Sequence, residues 1–470
     1  MLVLEAAQVE LLWDELLPIE ARLLPADLAV IDGVLDDPAV LAPVAVVWQR
    51  EAERGGRSTA GHGRPTVAMG TYVRLMVIKQ RNGWGYERLT REVADSLHLR
   101  RFCRIALGER VPDESTIRKL TRRLGPEVVA AITRAVIAKG VNETRFRARA
   151  VRIDSTVVEA DVRYPTDAGL AGDAVRLLAR EGKRAGALVA GGATKMRDRT
   201  RAVGRQLREL SCAVKRRTGE AKDDVLRLTG ACGKLAAASV TDARNVAGEL
   251  RAAARGRGAG AKLAAAERLE RSIARAEKVC EQIRKRLAGE PIRDRLVSLA
   301  DPDARPIRKG KAGKPTEFGS VHQIAEITPH TRTGARGFVL SPATAPGNPG
   351  EHQLLPATVA ELQTLGLTVA EVALDGGFPV HATAQTLEPI APERLFIAGK
   401  RSTAAGASKR TRDRLASYRT GAEGRISHLK RDYGLKRSRL KGAAGAKTWV
   451  GWGALAYNLD TYAHYAVRDA

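Results

Sequence analysis

The chain has 470 residues, 44% of them hydrophobic, and 79 Lys and Arg against 53 Asp and Glu, a net charge of +26. Such a length can bury a large core in about two to four domains, and the basic surplus favours a polyanionic partner, nucleic acid in the simplest case, although anionic membranes attract cations too. No apolar run approaches the ~18 residues of a membrane-spanning helix, no signal peptide is expected, and Cys103, Cys212, Cys232 and Cys280 stand far apart, which excludes a paired-cysteine zinc site and suits reduced thiols in a cytoplasmic protein.

Residues 1–56 form a mildly acidic, Leu-rich lead-in expected to be helical, and Gly55-Gly56 through Pro65 reads as a turn-rich linker. In "TYVRLMVIKQRNGWGYERLTREVADSLHLRRFC", Tyr72, Leu75, Met76 and Lys79 keep helical spacing as far as Asn82-Gly83. A second helix is expected from about Tyr86 to Ser96. "VPDESTIRKLTRRLG" then offers Pro112, a cap at Asp113 or Ser115, and a basic helix closed by Gly125. Residues 57–130 therefore read as an all-α domain. Arg118 and Arg122 on its last helix suit either a helix-turn-helix on DNA or a plain bundle with a solvated basic face.

A strand is expected over residues 148–164. Residues 165–305 then contain no Phe, Trp or Tyr, and hold 31 Lys and Arg against 18 Asp and Glu. Leu269, Ile273, Ala276, Cys280 and Ile283 recur at helical intervals, which predicts long amphipathic helices, as a hairpin broken near Gly256 to Gly260. Without aromatic residues this basic insertion is expected to pack weakly alone and to lean on another domain or on DNA.

Strand signals return at about residue 316. "EFGSVHQIAEITP" and "GFVLSPATA" read as paired strands around a Thr333-Gly334 turn. A helix ending at Gly366, the strand "TVAEVAL", a helix in "PVHATAQTLEP", the strand "RLFIAGK" and a helix over 407–432 follow. Residues 131–164 and 306–470 thus form one α/β domain, a mixed sheet flanked by helices and interrupted after its first strand.

Three acids stand out in that domain. Asp154 lies inside the apolar strand "VRIDSTVVEAD", where a carboxylate loses hydration and needs a partner such as Arg152 or Lys314, or a metal. Asp375 ends the strand "VAEVAL" before Gly376-Gly377, at the carboxyl end where α/β sheets place ligand sites, although Asp-Gly-Gly is also an ordinary turn. Glu423 sits on the last basic helix, where a surface ion pair is the plainer reading. Together they suit two divalent metals acting on a phosphodiester: Mg²⁺ takes hard oxygen ligands and keeps several waters, so three carboxylates suffice.

Positive charge gathers near them. Residues 400–441 hold 14 Lys and Arg against Asp413, Glu423 and Asp432. A concentrated charge of this kind suits a DNA path, with Lys400, Arg419, Arg425, Lys430, Arg437 and Arg439 as candidate phosphate contacts. Arg419, Glu423 and Lys430 are spaced by four and seven, so they share one helix face. His322 could touch DNA or be a satisfied core histidine, and Trp84 could stack on a base or cap a helix junction. Lys309, Lys311 and Lys314 form a basic loop suited to nonspecific phosphate contact.

These features resemble the insertion-sequence DDE transposases, whose catalytic domain is ribonuclease-H-like. The resemblance rests on the N-terminal helical block with "VPDESTIRKL", on "DST" at Asp154, on "LDGGF" at Asp375, on the Arg419/Glu423/Lys430 spacing, and on "LKRSRLKG" followed by "WGALAYNLDTY". The Tyr usual three positions before the Arg is replaced by Ala416, and Tyr418 adjoins Arg419 instead. The resemblance implies a DNA transposase that cleaves transposon ends and transfers strands to target DNA. It implies Asp154, Asp375 and Glu423 as catalytic metal ligands, two Mg²⁺ ions with Mn²⁺ as a substitute, and a homodimer on DNA in the bacterial nucleoid. A nuclease that cuts without joining and an inactive DNA-binding derivative are the alternatives.

Overall fold

In a computed structural model, residues 2–4, 17–54, 65–189, 196–216, 218–308, 316–345, 347–400, 403 and 406–469 are described. The loop lysines Lys309, Lys311 and Lys314, and most of the expected linker after Gly55, lie outside them. The chain divides into Met1–Asp161 with Ser320–Ala470, and Val162–Gly319.

The first unit begins with helices α1 (Ile19–Arg22), α2 (Ala26–Asp36), α3 (Pro38–Arg54), α4 (Met69–Arg81), α5 (Tyr86–Asp95), α6 (Leu97–Phe102) and α7 (Glu114–Glu143). Apolar residues lie all around α4, so it is buried along nearly its whole length. Its Arg74 is neutralised by Asp32 at 2.8 Å and Asp36 at 2.7 Å on α2. The expected stop at Gly125 is a kink instead. Gly125 takes a φ of 61°, and Pro126 restarts the helix at the one place where a missing N–H costs nothing. The chain then runs helically to Glu143, and Val129, Ile132 and Val136 face the core.

The strand β1 (Ala150–Ala160) closes this half of the unit. The second unit holds helices α8 (Asp167–Gly186), α9 (Thr200–Ala213), α10 (Gly219–Ala252) and α11 (Ala259–Leu287), then β2 (Arg305–Arg308) paired antiparallel with residues 316–319. The helices turn from α10 to α11 through Gly256 and Gly258, both at positive φ. The expected weak packing is not found. Leu178, Val240, Leu250, Leu269, Ile273 and Ile283 close a separate apolar cluster, with Ala236, Ala243, Ala266 and Ala276 filling the spaces between them. Small side chains let helix axes approach closely, and a Cβ added to Gly172 would already stand 2.7 Å from Leu207.

Beyond this segment the chain supplies β3 (Thr316–Thr328), β4 (Phe338–Val339), β5 (Ala343–Ala345), α12 (Leu355–Thr364), β6 (Glu371–Leu374), α13 (Val380–Leu387), β7 (Arg394–Ile397), α14 (Lys409–Asp432), β8 (Arg437–Ser438) and α15 (Gly442–Asp469). The sheet order is β2-β3-β1-β6-β7, with β4 and β5 on β3 and β8 on β1. The pairs β1–β6 and β6–β7 are parallel, whereas β3 pairs antiparallel with β2, β4 and β5. One core joins the N-terminal helices to the sheet: Val151, Ile153, Ile327, Phe338, Val372 and Leu374 pack with residues of α4, α7 and α15. Among the described residues no helix is long and apolar enough to cross a membrane.

His322, in β3, is fully buried between the hydroxyls of Ser320 at 2.8 Å and Thr344 at 2.7 Å. It is a satisfied core residue. Burial, with a smaller push from Lys447, lowers its pKa to about 3. Between that value and the ordinary 6.5 the unfolded chain binds the proton and the folded chain does not, so acid favours unfolding. Urea melts should show wild type losing on the order of 1.4 kcal/mol per pH unit below about 6.5 relative to His322→Gln. A constant difference between the two proteins from pH 7.5 to 5 would refute this.

Candidate active site

Asp154 and Ser155 are the only half-exposed pair inside β1 before its last two residues; every other position from Ala150 to Val158 is buried. The parallel register explains what this opening faces. Ile153 pairs with Leu374, the last residue of β6, so Asp154 and Asp375 each stand one step beyond the same rung. Neighbouring strands run ~4.8 Å apart, so the two positions lie side by side at the carboxyl end of β6.

The turn after Asp375 is shaped by its small residues. A Cβ on Gly376 would stand 3.0 Å from the carbonyl oxygen of Ala398, just past β7. Phe378 is fully buried and pins the far side of the turn. The sequence "LDGGF" is thus an apolar anchor on each side of an acid that remains half-exposed.

Helix α14 packs over β1, β6 and β7 and delivers the third acid. Its N-terminus is capped by Ser408, whose side chain accepts from the Thr411 N–H. One turn apart on it, Arg419 and Glu423 are paired at 3.1 Å, and the same Arg419 Nη1 lies 3.3 Å from Asp375 Oδ1. Burial raises the Asp154 carboxyl above its ordinary range; the negative charges of Asp375 and Glu423 push the same way, against the Ser155 N–H and Arg419. Asp154 therefore senses the charges of Asp375 and Glu423, and Arg419 is the counter-ion paired with those two. Among the described residues no set of three His, Cys, Asp or Glu side chains closes on a single metal position. Here the guanidinium holds two of the carboxylates. The donor set itself suits a hard divalent cation: three carboxylates, with Asp154 raised by burial and by the charges of the other two.

The expected DNA contacts divide. Arg122, Lys400, Arg437 and Arg439 are exposed, and Arg437 also pairs with Glu159 at 3.1 Å. Lys430 is half-buried near the end of α14. Arg118 pairs with Glu114 at 2.5 Å and lies over the Tyr86 ring. Arg425 turns inward instead, to Glu326 at 2.9 Å and over the Tyr457 ring. Tyr418 is also internal, its hydroxyl 2.6 Å from that of Thr328. Arg152 does not serve Asp154; it, too, binds Glu326. Trp84 lies partly buried against the core at the α4–α5 junction.

Residues 28–123 match the family described as Transposase domain (DUF772), and residues 294–459 match Transposase DDE domain. The chain belongs to the insertion-sequence DDE transposases. No curated protein and no solved structure matches it. The transposase has the ribonuclease-H-like sheet of that class, with an all-α region before it. The DDE match contains Asp375 and Glu423 but begins after Asp154, which the β1–β6 register brings to it.

Proposed function

We propose that this transposase breaks phosphodiester bonds at transposon ends and joins the freed 3′-hydroxyl to target DNA, with Asp154, Asp375 and Glu423 as ligands for two Mg²⁺ ions, for which Mn²⁺ can substitute. When bound, the ions supply charge stabilisation to the attacking and leaving oxygens. The observation that carries this reading is the shared rung of Asp154 and Asp375, with Glu423 close enough to raise the Asp154 carboxyl. In the first reaction water opens the phosphodiester and leaves a 3′-hydroxyl and a 5′-phosphate. In the second that hydroxyl replaces one alcohol of a target phosphodiester, so bond number is conserved and no external energy is needed.

The chain's own groups position DNA. Arg419 offers a planar fork to a phosphate, and release from Asp375 and Glu423 turns it from their counter-ion into a DNA ligand. Lys430 lies eleven residues on, about three helical turns, on the same face. Exposed Lys400, Arg437 and Arg439 extend the cationic wall along the backbone. Two ends must be processed together, so the acting species is a homodimer on DNA, in the bacterial nucleoid.

A labelled duplex ending in the inverted repeats that flank the coding region tests this. With Mg²⁺, the wild-type chain is expected to nick at the repeat terminus and to join a pre-cut 3′-hydroxyl end to plasmid. Nicking without joining would leave a nuclease, and neither product would remove the reading.

A further inference from the structure

We propose that Glu326 is a positioning residue for the three acids, a buried carboxylate that ties the strand carrying Asp154 to the helix carrying Glu423. It rests on the reading above. Glu326 lies in β3 with its side chain 1% exposed. Its Oε2 accepts from Arg152 Nε at 2.9 Å and Nη2 at 2.7 Å. Its Oε1 accepts from Arg425 Nε at 2.9 Å, the Gly337 N–H at 3.0 Å and the Tyr457 hydroxyl at 3.3 Å. Arg152 stands two residues before Asp154, on the same face of β1; Arg425 stands two residues after Glu423 on α14.

The link is made tight by the backbone. Arg152 also donates to the carbonyl of Tyr418 at 3.3 Å and to that of Ala335 at 3.0 Å. Its Nη1 passes so near α14 that a Cβ at Gly421 would stand 1.9 Å from it. The strand's guanidinium is therefore seated against the helix backbone between Arg419 and Glu423. A shift of α14 along the sheet would break bonds to a buried charge, which is strongly unfavourable. The separation of Asp154 from Glu423 is thus set through Glu326, outside the group of residues that would meet metal or DNA.

The test compares Glu326→Asp, and Arg425→Lys as the milder variant, with Glu361→Asp. Glu361 is a buried carboxylate paired with Arg134 at 2.7 Å, on α12 and α7. Mn²⁺ binding to the DNA-free chain is read by titration calorimetry, folding by thermal melting, and repeat-end affinity by fluorescence anisotropy. Glu326→Asp and Arg425→Lys are expected to bind ends as wild type does but Mn²⁺ about 10-fold to 100-fold more weakly. Glu361→Asp is expected to lower the melting temperature without changing Mn²⁺ binding. Should Glu326→Asp not fold, Arg425→Lys decides alone. Wild-type Mn²⁺ affinity in the folded variants, or an equal loss in Glu361→Asp, overturns the proposal. Asp154→Asn separates the two readings: unaltered Mn²⁺ binding there would sink the metal assignment itself, not only the role of Glu326.

Discussion

Asp154→Asn is expected to reduce strand cleavage by on the order of a thousandfold, about 4 kcal/mol of barrier, while DNA binding persists or tightens. The substitution preserves shape and removes one charge from a carboxyl that burial, and then the charges of Asp375 and Glu423, already raise. The lost charge is the one Mg²⁺ would need, and the same loss removes repulsion from phosphate. Folding should not suffer, because a carboxylate in a half-buried strand position is the costlier occupant. Cleavage of a repeat-end duplex, end affinity by anisotropy and a thermal melt give the three readings. Cutting at the wild-type rate would show that Asp154 does not act in catalysis.

The largest loss of stability is expected at Phe338, in β4. Its ring is fully buried, edge-on to Phe146 at 4.9 Å and stacked near Tyr465 at 6.4 Å. It also fills the space beside Gly140, where a Cβ would stand 2.4 Å from the ring. Phe338 thus locks α7 and α15 onto the sheet. Phe338→Ala should cost about 3–5 kcal/mol in urea unfolding. Gly140→Ala alone should also destabilise, since helix and ring must separate, yet in Phe338→Ala the added methyl enters the space left behind. The pair should therefore be less harmful than the sum of the two, a coupling of contacting sites. Strict additivity would show that the ring does not set the helix–strand spacing.

Asp154 is legible because it interrupts a β-branched apolar run, which is costly without a purpose, and Asp375 because it follows one directly and precedes Gly376-Gly377. The helix carrying Glu423 was legible from its spacing with Arg419. Arg425 was harder to read. It lies two residues past Glu423, about 200° around the helix, and so faces the sheet; in a segment this basic, one inward arginine looks like the rest. Glu326 carries one local signal, a lone acid in the apolar run "HQIAEITP", which needs buried partners. Its partners come from β1 and α14, 174 and 99 residues away, and no local pattern names them. The insertion's core carries no aromatic signal, because alanines close-packed between Leu, Ile and Val supply it. At Gly125 the stop signal was real, but Pro126 turned it into a kink.

The 158-residue interval between Asp161 and Ser320 sets a timetable for synthesis. At about 5–20 residues per second, the ribosome needs roughly 10–45 seconds to travel the 221 positions from Asp154 to Asp375. Throughout that wait β1 has no β6 to pair with, and its apolar edge is an invitation to wrong neighbours. The helices α8–α11 can close their own apolar cluster in the meantime, which removes their residues from the disordered chain. Nascent chains halted before Leu374 should therefore be the form of this protein most in need of a chaperone.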